Sequence, residues 1–287
     1  AGPGDRRGEG TVPKKRARAP QPVPGARFLM ERGVTARRAC HIAGISSAAP
    51  YRQPVPERDH ALRERLRSVW RPNMGYRMAH AFIRDEFAPL NVKRVHRLWK
   101  EEKLGRIRRY RKKRTGSSVP LAAEGRDQVW CLDFCFDSCL NGTKLKVLAI
   151  VDEFTRECLA LEAATSFKSM RVQQVLAGIF ESRGAPEFLR SDNGSEFIAR
   201  SLAVFLVKSG TQSRFIKPGS PWQNGHAESF VSRLRAELLD VEAFHNLADA
   251  QVKLALYRRF YNEERPHSSL GYRPPAKAMS ESTKDSS

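Results

Sequence analysis

Val129-Trp-Cys-Leu-Asp-Phe-Cys-Phe136 and Lys146-Val-Leu-Ala-Ile-Val151 are two short runs of apolar, β-favouring residues, and Asn141-Gly142 lies between them. Asn-Gly supplies the positive backbone angles of a tight hairpin turn, so the pair predicts two antiparallel strands. Cys158–Ala163 reads as a third strand. The pattern then alternates: a helix over Met170–Ser182, a strand over Glu187–Arg190, a helix over Phe197–Ser209, a strand over Gln212–Ile216, and long helices over His226–Asp240 and Ala248–Asn262. Three consecutive strands followed by alternating helices and strands predict an α/β fold, one mixed sheet flanked by helices. Pro266–Pro275 and the polar Met279–Ser287 read as a closing tail.

Upstream the periodicity is helical. Phe28, Leu29 and Met30 precede Gly33, and Thr35 is placed to cap a short helix running through Cys40 and Ile42 to a stop at Gly44. Two short helices about a glycine turn suggest a helix-turn-helix, a pattern shared by any small helical hairpin. Further helices are predicted over His60–Val69, Arg77–Phe87 and Val92–Glu102, broken at Gly75 and at Ala88-Pro89-Leu90-Asn91. In the last of them Val92, Val95, Leu98, Trp99 and Leu104 form an apolar stripe, which leaves Lys93, Arg94, Arg97 and Lys100 facing out. Such a basic face suits a DNA groove or plain solvent equally well.

Arg106-Ile-Arg-Arg-Tyr-Arg-Lys-Lys-Arg114 follows, and adjacent like charges repel and keep such a segment extended. Arg108, Arg109, Arg111, Lys112, Lys113 and Arg114 are therefore expected to bind phosphates from a linker. The implied organisation is a disordered basic arm over 1–26, which has too little to bury to offset the entropy of ordering, and a small all-α DNA-binding region over 27–105. A basic linker over 106–125, the sheet domain with its C-terminal helix and tail over 126–280, and a disordered end over 281–287 complete it.

The chain has 51 Lys and Arg against 31 Asp and Glu, a net charge of +20. Residues 1–128 hold 31 of those cations and only 12 of the anions, so nearly the whole excess precedes Val129. Cations that neutralise phosphates release counterions, which makes nucleic acid the leading partner; a solubilising basic tail is the plain alternative. No apolar run approaches the ~18 residues of a membrane span, and no apolar stretch near the start reads as a signal peptide. The start at Ala1 rather than Met suggests a processed, frameshifted or truncated product. Five cysteines, an odd number concentrated in or beside strand-like runs, suit a reduced cytoplasmic protein. Cys131, Cys135 and Cys139 recur at every fourth position without a Cys-x-x-Cys pair, so they read as core residues rather than zinc ligands.

Three carboxylates stand out by context. Asp133 interrupts an apolar strand, Asp192 ends the fourth strand at Arg190-Ser-Asp-Asn-Gly-Ser-Glu196, and Glu228 falls in the first turns of a helix entered through Ser220-Pro-Trp-Gln-Asn-Gly225. Each has a simple explanation alone: a solvent-facing strand residue, a turn aspartate, a glutamate favoured by a helix dipole. Together they fit another chemistry. Hard divalent cations take oxygen ligands, and a two-metal phosphoryl-transfer site needs carboxylates that converge from separate elements. Asp152, beside Glu153 and Arg156, reads as a partner in a structural ion pair, and Glu196 as a neighbour of Asp192.

Thirty-five residues separate Asp192 from Glu228, a spacing similar to the Asp, Asp, thirty-five, Glu signature of retroviral integrases and bacterial insertion-sequence transposases. Trp130-Cys-Leu-Asp133, Val151-Asp-Glu-Phe-Thr-Arg156, Ser191-Asp-Asn-Gly-Ser-Glu-Phe197, Ser220-Pro-Trp-Gln-Asn-Gly-His-Ala-Glu-Ser-Phe230 and Tyr261-Asn-Glu-Glu-Arg-Pro-His-Ser-Ser-Leu-Gly-Tyr272 resemble the second-reading-frame (OrfB) product of the IS-three family. Gly75-Tyr-Arg77 and Val92-Lys-Arg-Val-His-Arg-Leu98 resemble the segment that family carries upstream of its core. The zinc-binding His/His/Cys/Cys module of retroviral integrases is not apparent, which points to the bacterial branch.

The resemblance implies a ribonuclease-H-like integrase core in which Asp133, Asp192 and Glu228 are catalytic and hold two Mg²⁺ or Mn²⁺ ions. It also marks Arg235, seven positions after Glu228, as a residue that touches a phosphate; a surface arginine is the plain alternative. Gln223 and Asn224 are expected at the DNA end or, more simply, in the turn before the helix. The implied activity is metal-dependent cleavage and strand transfer at insertion-element ends, in a bacterial, cytoplasmic and nucleoid-associated protein. The implied partners are element and target DNA, further copies of the chain in a paired-end complex, and an upstream-frame (OrfA) protein. A non-catalytic DNA-binding partner of the fused transposase and a nuclease of the same fold are the rival readings.

Overall fold

In the computed structural model, residues 22–51, 59–105, 123–216 and 224–282 are described. They form two compact units that divide between His60 and Ala61. The first contains α1 (Pro22–Glu31) and α2 (Ala36–Ile42). Gly33, at φ +84°, makes the turn between them, and Thr35 holds the N-cap position of α2 without donating or accepting a side-chain cap bond. Ala26, Ala39 and Cys40 are its buried apolar residues.

The second unit opens with α3 (His60–Val69), α4 (Tyr76–Ile83) and α5 (Val92–Glu101). Their core joins Leu62 and Leu66 to Met78, Ile83, Val95, Leu98 and Trp99. Each such side chain taken out of water contributes roughly 1.5–3 kcal/mol before the cost of ordering the chain. α4 is shorter than its periodicity predicts: the amides of Glu86 and Phe87 both fold back on the Ile83 carbonyl, and Pro89 follows two residues later. Asn91 caps α5 by accepting from the Lys93 amide at 2.8 Å. The helical block is docked on the sheet domain, where Asn73 Nδ2 donates to the Ala236 carbonyl at 2.7 Å and Arg71 lies 4.3 Å over the Phe260 ring.

The sheet contains β1 (Val129–Ser138), β2 (Lys144–Asp152), β3 (Cys158–Ala164), β4 (Phe188–Ser191) and β5 (Gln212–Phe215), in the order β3-β2-β1-β4-β5. β1, β2 and β3 are antiparallel neighbours; β4 runs parallel to β1, and β5 to β4. This is the ribonuclease-H-like mixed sheet that the sequence implies. Residues alternate between its faces. On one face Trp130, Leu132, Leu148 and Ile150 pack against α6 (Ser169–Arg183) and α7 (Arg200–Lys208). On the other Val147, Ala149 and Val151 pack against α8 (Gly225–Leu234) and α9 (Leu247–Glu263).

Two local departures concern the C-terminal part. The predicted single helix over His226–Asp240 is α8 followed by a π-helical segment, Arg235–Leu239, in which Glu237 turns to meet Arg265 at 2.5 Å. Part of the expected tail is α10 (Pro275–Ser282), begun by a proline whose fixed φ and missing amide suit a first helical position. All five cysteines are buried and free. Among the described residues, no helix is long and apolar enough to cross a membrane.

Candidate active site

Strand register brings the first two carboxylates together. Cys131 of β1 stands opposite Arg190 of β4, and the two strands are parallel. One side-chain repeat further on, Asp133 in the middle of β1 and Asp192 just past the end of β4 therefore reach the same face. Glu228 comes from the first turn of α8, the helix that covers this face. The N-terminus of α8 is tied to β1 where Asn224 Nδ2 donates to the Leu132 carbonyl at 2.9 Å, one residue before Asp133.

The electrostatics show that the three carboxylates share one environment. Burial pushes the Asp133 carboxyl up to about 6; a bond from the Phe134 amide opposes the shift, and repulsion from Asp192 and from Glu228 adds to it. Among the described residues no group of three or more His, Cys, Asp or Glu side chains is drawn close enough to hold a metal ion as it stands. The triad is thus within electrostatic range and not yet within one coordination sphere. Its donor set, all carboxylate oxygen, is what a hard divalent cation takes.

The loop after β4 is held from both sides. Asp192 Oδ1 accepts from the Gly194 amide at 3.1 Å, and Asn193 Nδ2 donates to the Ile216 carbonyl at the end of β5 at 2.9 Å. A Cβ at Gly194 would stand 3.1 Å from that same Oδ1, a tight contact that the Asp192 carboxylate would have to yield to. Glu196 pairs with Lys146, whose ammonium lies 4.1 Å over the Phe134 ring, and Phe197 stacks on Phe134 at 4.9 Å. The Lys146 ammonium holds Glu196 below the usual carboxylate range.

Beneath the triad lies a charged network that the sequence reading missed. Glu153 is buried at the start of the turn from β2 to β3 and accepts from Arg190 Nη1 at 2.5 Å and from Cys131 Sγ at 3.4 Å. His226 Nε2 stands 3.5 Å from its other oxygen, and Arg156 touches the same imidazole at Nδ1. Burial, then the charges of Arg156, Arg190 and Arg233, hold His226 down at about 4, so it is neutral at pH 7. The available signal was an arginine inside Phe188-Leu-Arg190, a charge within a strand too short and apolar to leave it unpaired.

Several expected contacts are placed differently. Asn224 is corrected from a DNA contact to an internal tie, since it is 3% exposed and its amide is committed to β1. Asp152 makes no ion pair with Arg156; it accepts from the backbone amides of Asp127 and Thr155 at 2.8 and 2.7 Å. Arg235 donates to the Phe136 carbonyl at 3.1 Å, three residues along β1 from Asp133. Lys93, Arg94, Arg97 and Lys100 are exposed on α5, where Arg97 also meets Glu101 at 3.0 Å. Gln223, Arg108, Arg109, Arg111, Lys112, Lys113 and Arg114 lie outside the described residues.

Residues 123–221 and 209–275 each match an integrase core domain family. An insertion element IS476 protein of 39.2 kDa from Xanthomonas euvesicatoria is 37% identical over 281 residues, covering 96% of this chain and 81% of that protein. An insertion element IS407 protein of 31.7 kDa from Burkholderia multivorans is 35% identical, covering 85% of this chain and 90% of its own length. Transposase InsD of the insertion element IS2 from Escherichia coli is 32% identical, covering 71% of this chain and 72% of that protein. With the sheet, the family models and these relatives in agreement, the chain belongs to the insertion-sequence transposases of the IS-three family, built on an integrase core domain.

Proposed function

We propose that Asp133, Asp192 and Glu228 are the catalytic carboxylates and hold two divalent cations, Mg²⁺ or Mn²⁺, with which the chain cleaves insertion-element ends and joins a 3′-hydroxyl to target DNA. The observation that carries this reading is the placement of the three carboxylates, two on one face of neighbouring strands and the third in the first turn of the helix tied to β1; the raised Asp133 carboxyl, pushed up by burial and then by both other members of the triad, agrees with it. A desolvated carboxylate on the central strand with two others acting on it is costly unless positive charge joins them. The bound cations would supply activation of the attacking oxygen and stabilisation of the leaving one, without a protein nucleophile.

The protein's own part is to hold charge and position DNA. Asp133 and Asp192 are held by neighbouring strands and Glu228 by a helix tied to β1, so the backbone elements that carry the three carboxylates are fixed. Arg235 is placed to offer its remaining guanidinium donors to a phosphate, an electrostatic role because arginine keeps its proton. Lys93, Arg94 and Arg97 on α5 and the basic segment from Arg108 to Arg114 bind DNA through phosphates, so affinity falls steeply with salt. Further copies of the chain and an upstream-frame protein complete the paired-end complex.

The decisive measurement is strand joining with labelled element ends and Mg²⁺, with and without the upstream-frame protein. Wild-type protein is expected to give joined strands, and Asp192→Asn only a gel shift. Joining by Asp192→Asn at the wild-type rate would sink the assignment; cutting without joining by the wild type would indicate a nuclease.

A further inference from the structure

We propose that Glu153 is a positioning residue for all three carboxylates of the triad, a role that rests on the reading of that triad given above. The Glu153 side chain is 6% exposed and meets three partners: Arg190, Cys131 and His226. Each of those partners stands two positions before a member of the triad. Cys131 precedes Asp133 on β1, Arg190 precedes Asp192 at the end of β4, and His226 precedes Glu228 in α8. One buried carboxylate therefore grips all three elements immediately below the site.

The anchor itself is fixed before it reaches out. The Glu153 amide donates to the Val129 carbonyl of β1 at 2.9 Å, and the neighbouring Asp152 carboxylate closes the turn by accepting from Thr155. In β1 and in the continuation of β4, a two-residue offset is one full side-chain repeat, so a shift of Cys131 or Arg190 passes directly to the aspartate beside it. In α8 the same offset sets His226 and Glu228 on different sides of the first turn. Holding His226 there fixes how far that turn lies from β1, and so how far Glu228 can reach.

A charge pair kept only for stability would not need this arrangement. A buried ion pair is commonly matched or bettered by apolar residues of similar volume, because desolvation consumes its Coulombic gain. Here one carboxylate is shared among a strand arginine, a strand thiol and a helix imidazole, on three different elements. The gain that distinguishes such a hub is geometry.

The test uses the full chain and Glu153→Gln, which keeps the volume and loses the charge and one acceptor. Mn²⁺ binding to the DNA-free protein is measured by calorimetry, and joining of element ends is measured across DNA and Mg²⁺ concentrations. The expected result is Mn²⁺ affinity weakened about ten-fold and kcat lowered about 10–100-fold, the usual range for groups that orient metal ligands. KM for DNA should stay within about two-fold, since no DNA contact is removed. His226→Gln and Cys131→Ala each remove one spoke, are expected to cost less, and decide the matter if Glu153→Gln does not fold. Wild-type Mn²⁺ affinity and kcat in folded Glu153→Gln, or in both spoke variants, would overturn the proposal. Asp192→Asn, titrated alongside, separates the two claims: if it binds Mn²⁺ as the wild type does, the triad reading fails whatever Glu153 does.

Discussion

Asp133 and Glu153 serve the same face of the same sheet, yet their surroundings are opposite. Asp133 is partly buried with two other carboxylates for neighbours, and its carboxyl rises to about 6. Glu153 is more deeply buried and is surrounded by an arginine, a thiol and a neutral imidazole. In the first a carboxylate meets carboxylates, and in the second a carboxylate meets a cation. The difference sets the proposed cation site apart from the proposed scaffold beside it.

Opposite responses to removing one charge would test that contrast most strongly. Asp133→Asn should abolish joining and yet stabilise the metal-free protein by up to about 2 kcal/mol at neutral pH, because it deletes a desolvated, repelled charge. Arg190→Met should destabilise it by about 3–5 kcal/mol, because it leaves Glu153 buried without its cation. Denaturant melts of the two variants measure both effects, and a shared sign would remove the contrast.

pH offers a second, gentler probe. The Asp133 carboxyl is raised from an ordinary 3.8 to about 6, so its proton is held more tightly in the folded chain than in the unfolded one. Its contribution to stability is complete below about pH 4 and is lost as pH rises to about 6. Metal affinity should run the other way, increasing through the same window as the proton leaves and levelling above it. Calorimetric Mn²⁺ titrations from pH 5 to 8 would show this rise, and a flat profile would place the proton elsewhere. The smallest expected effect is that of Gly194→Ala, where the new Cβ must push the Asp192 carboxylate by a few tenths of an ångström. About a ten-fold loss of joining, with DNA binding unchanged in a gel shift, is the expected outcome.

The contrast also marks what was legible in the sequence. Strands announce themselves locally, so β1 to β5 fall within a few residues of their predicted places. The proposed triad was suggested by a spacing that repeats a family signature and by members that interrupt apolar or turn patterns. Glu153 and His226 lie inside family-like strings and Arg190 inside an apolar strand, but nothing in those patterns announces which buried charges will meet across 37 or more residues. Asn224 shows the reverse difficulty: a polar residue beside a glycine reads as a surface contact until a strand carbonyl claims its amide. The π-helical turn after α8 depends on Arg265 reaching Glu237 from beyond α9, a long-range pull that local helix periodicity does not encode.

The five buried cysteines give the molecule a built-in clock. Burial pushes the Cys135 thiol up to about 12 and raises those of Cys131 and Cys158 as well, so little thiolate exists to meet an alkylating reagent while the fold is closed. Reaction then waits on opening of the segment that carries each thiol. Cys131 and Cys135 time the fraying of the strand that bears Asp133, Cys158 times the edge strand, and Cys40 times the separate helical unit at the other end of the chain.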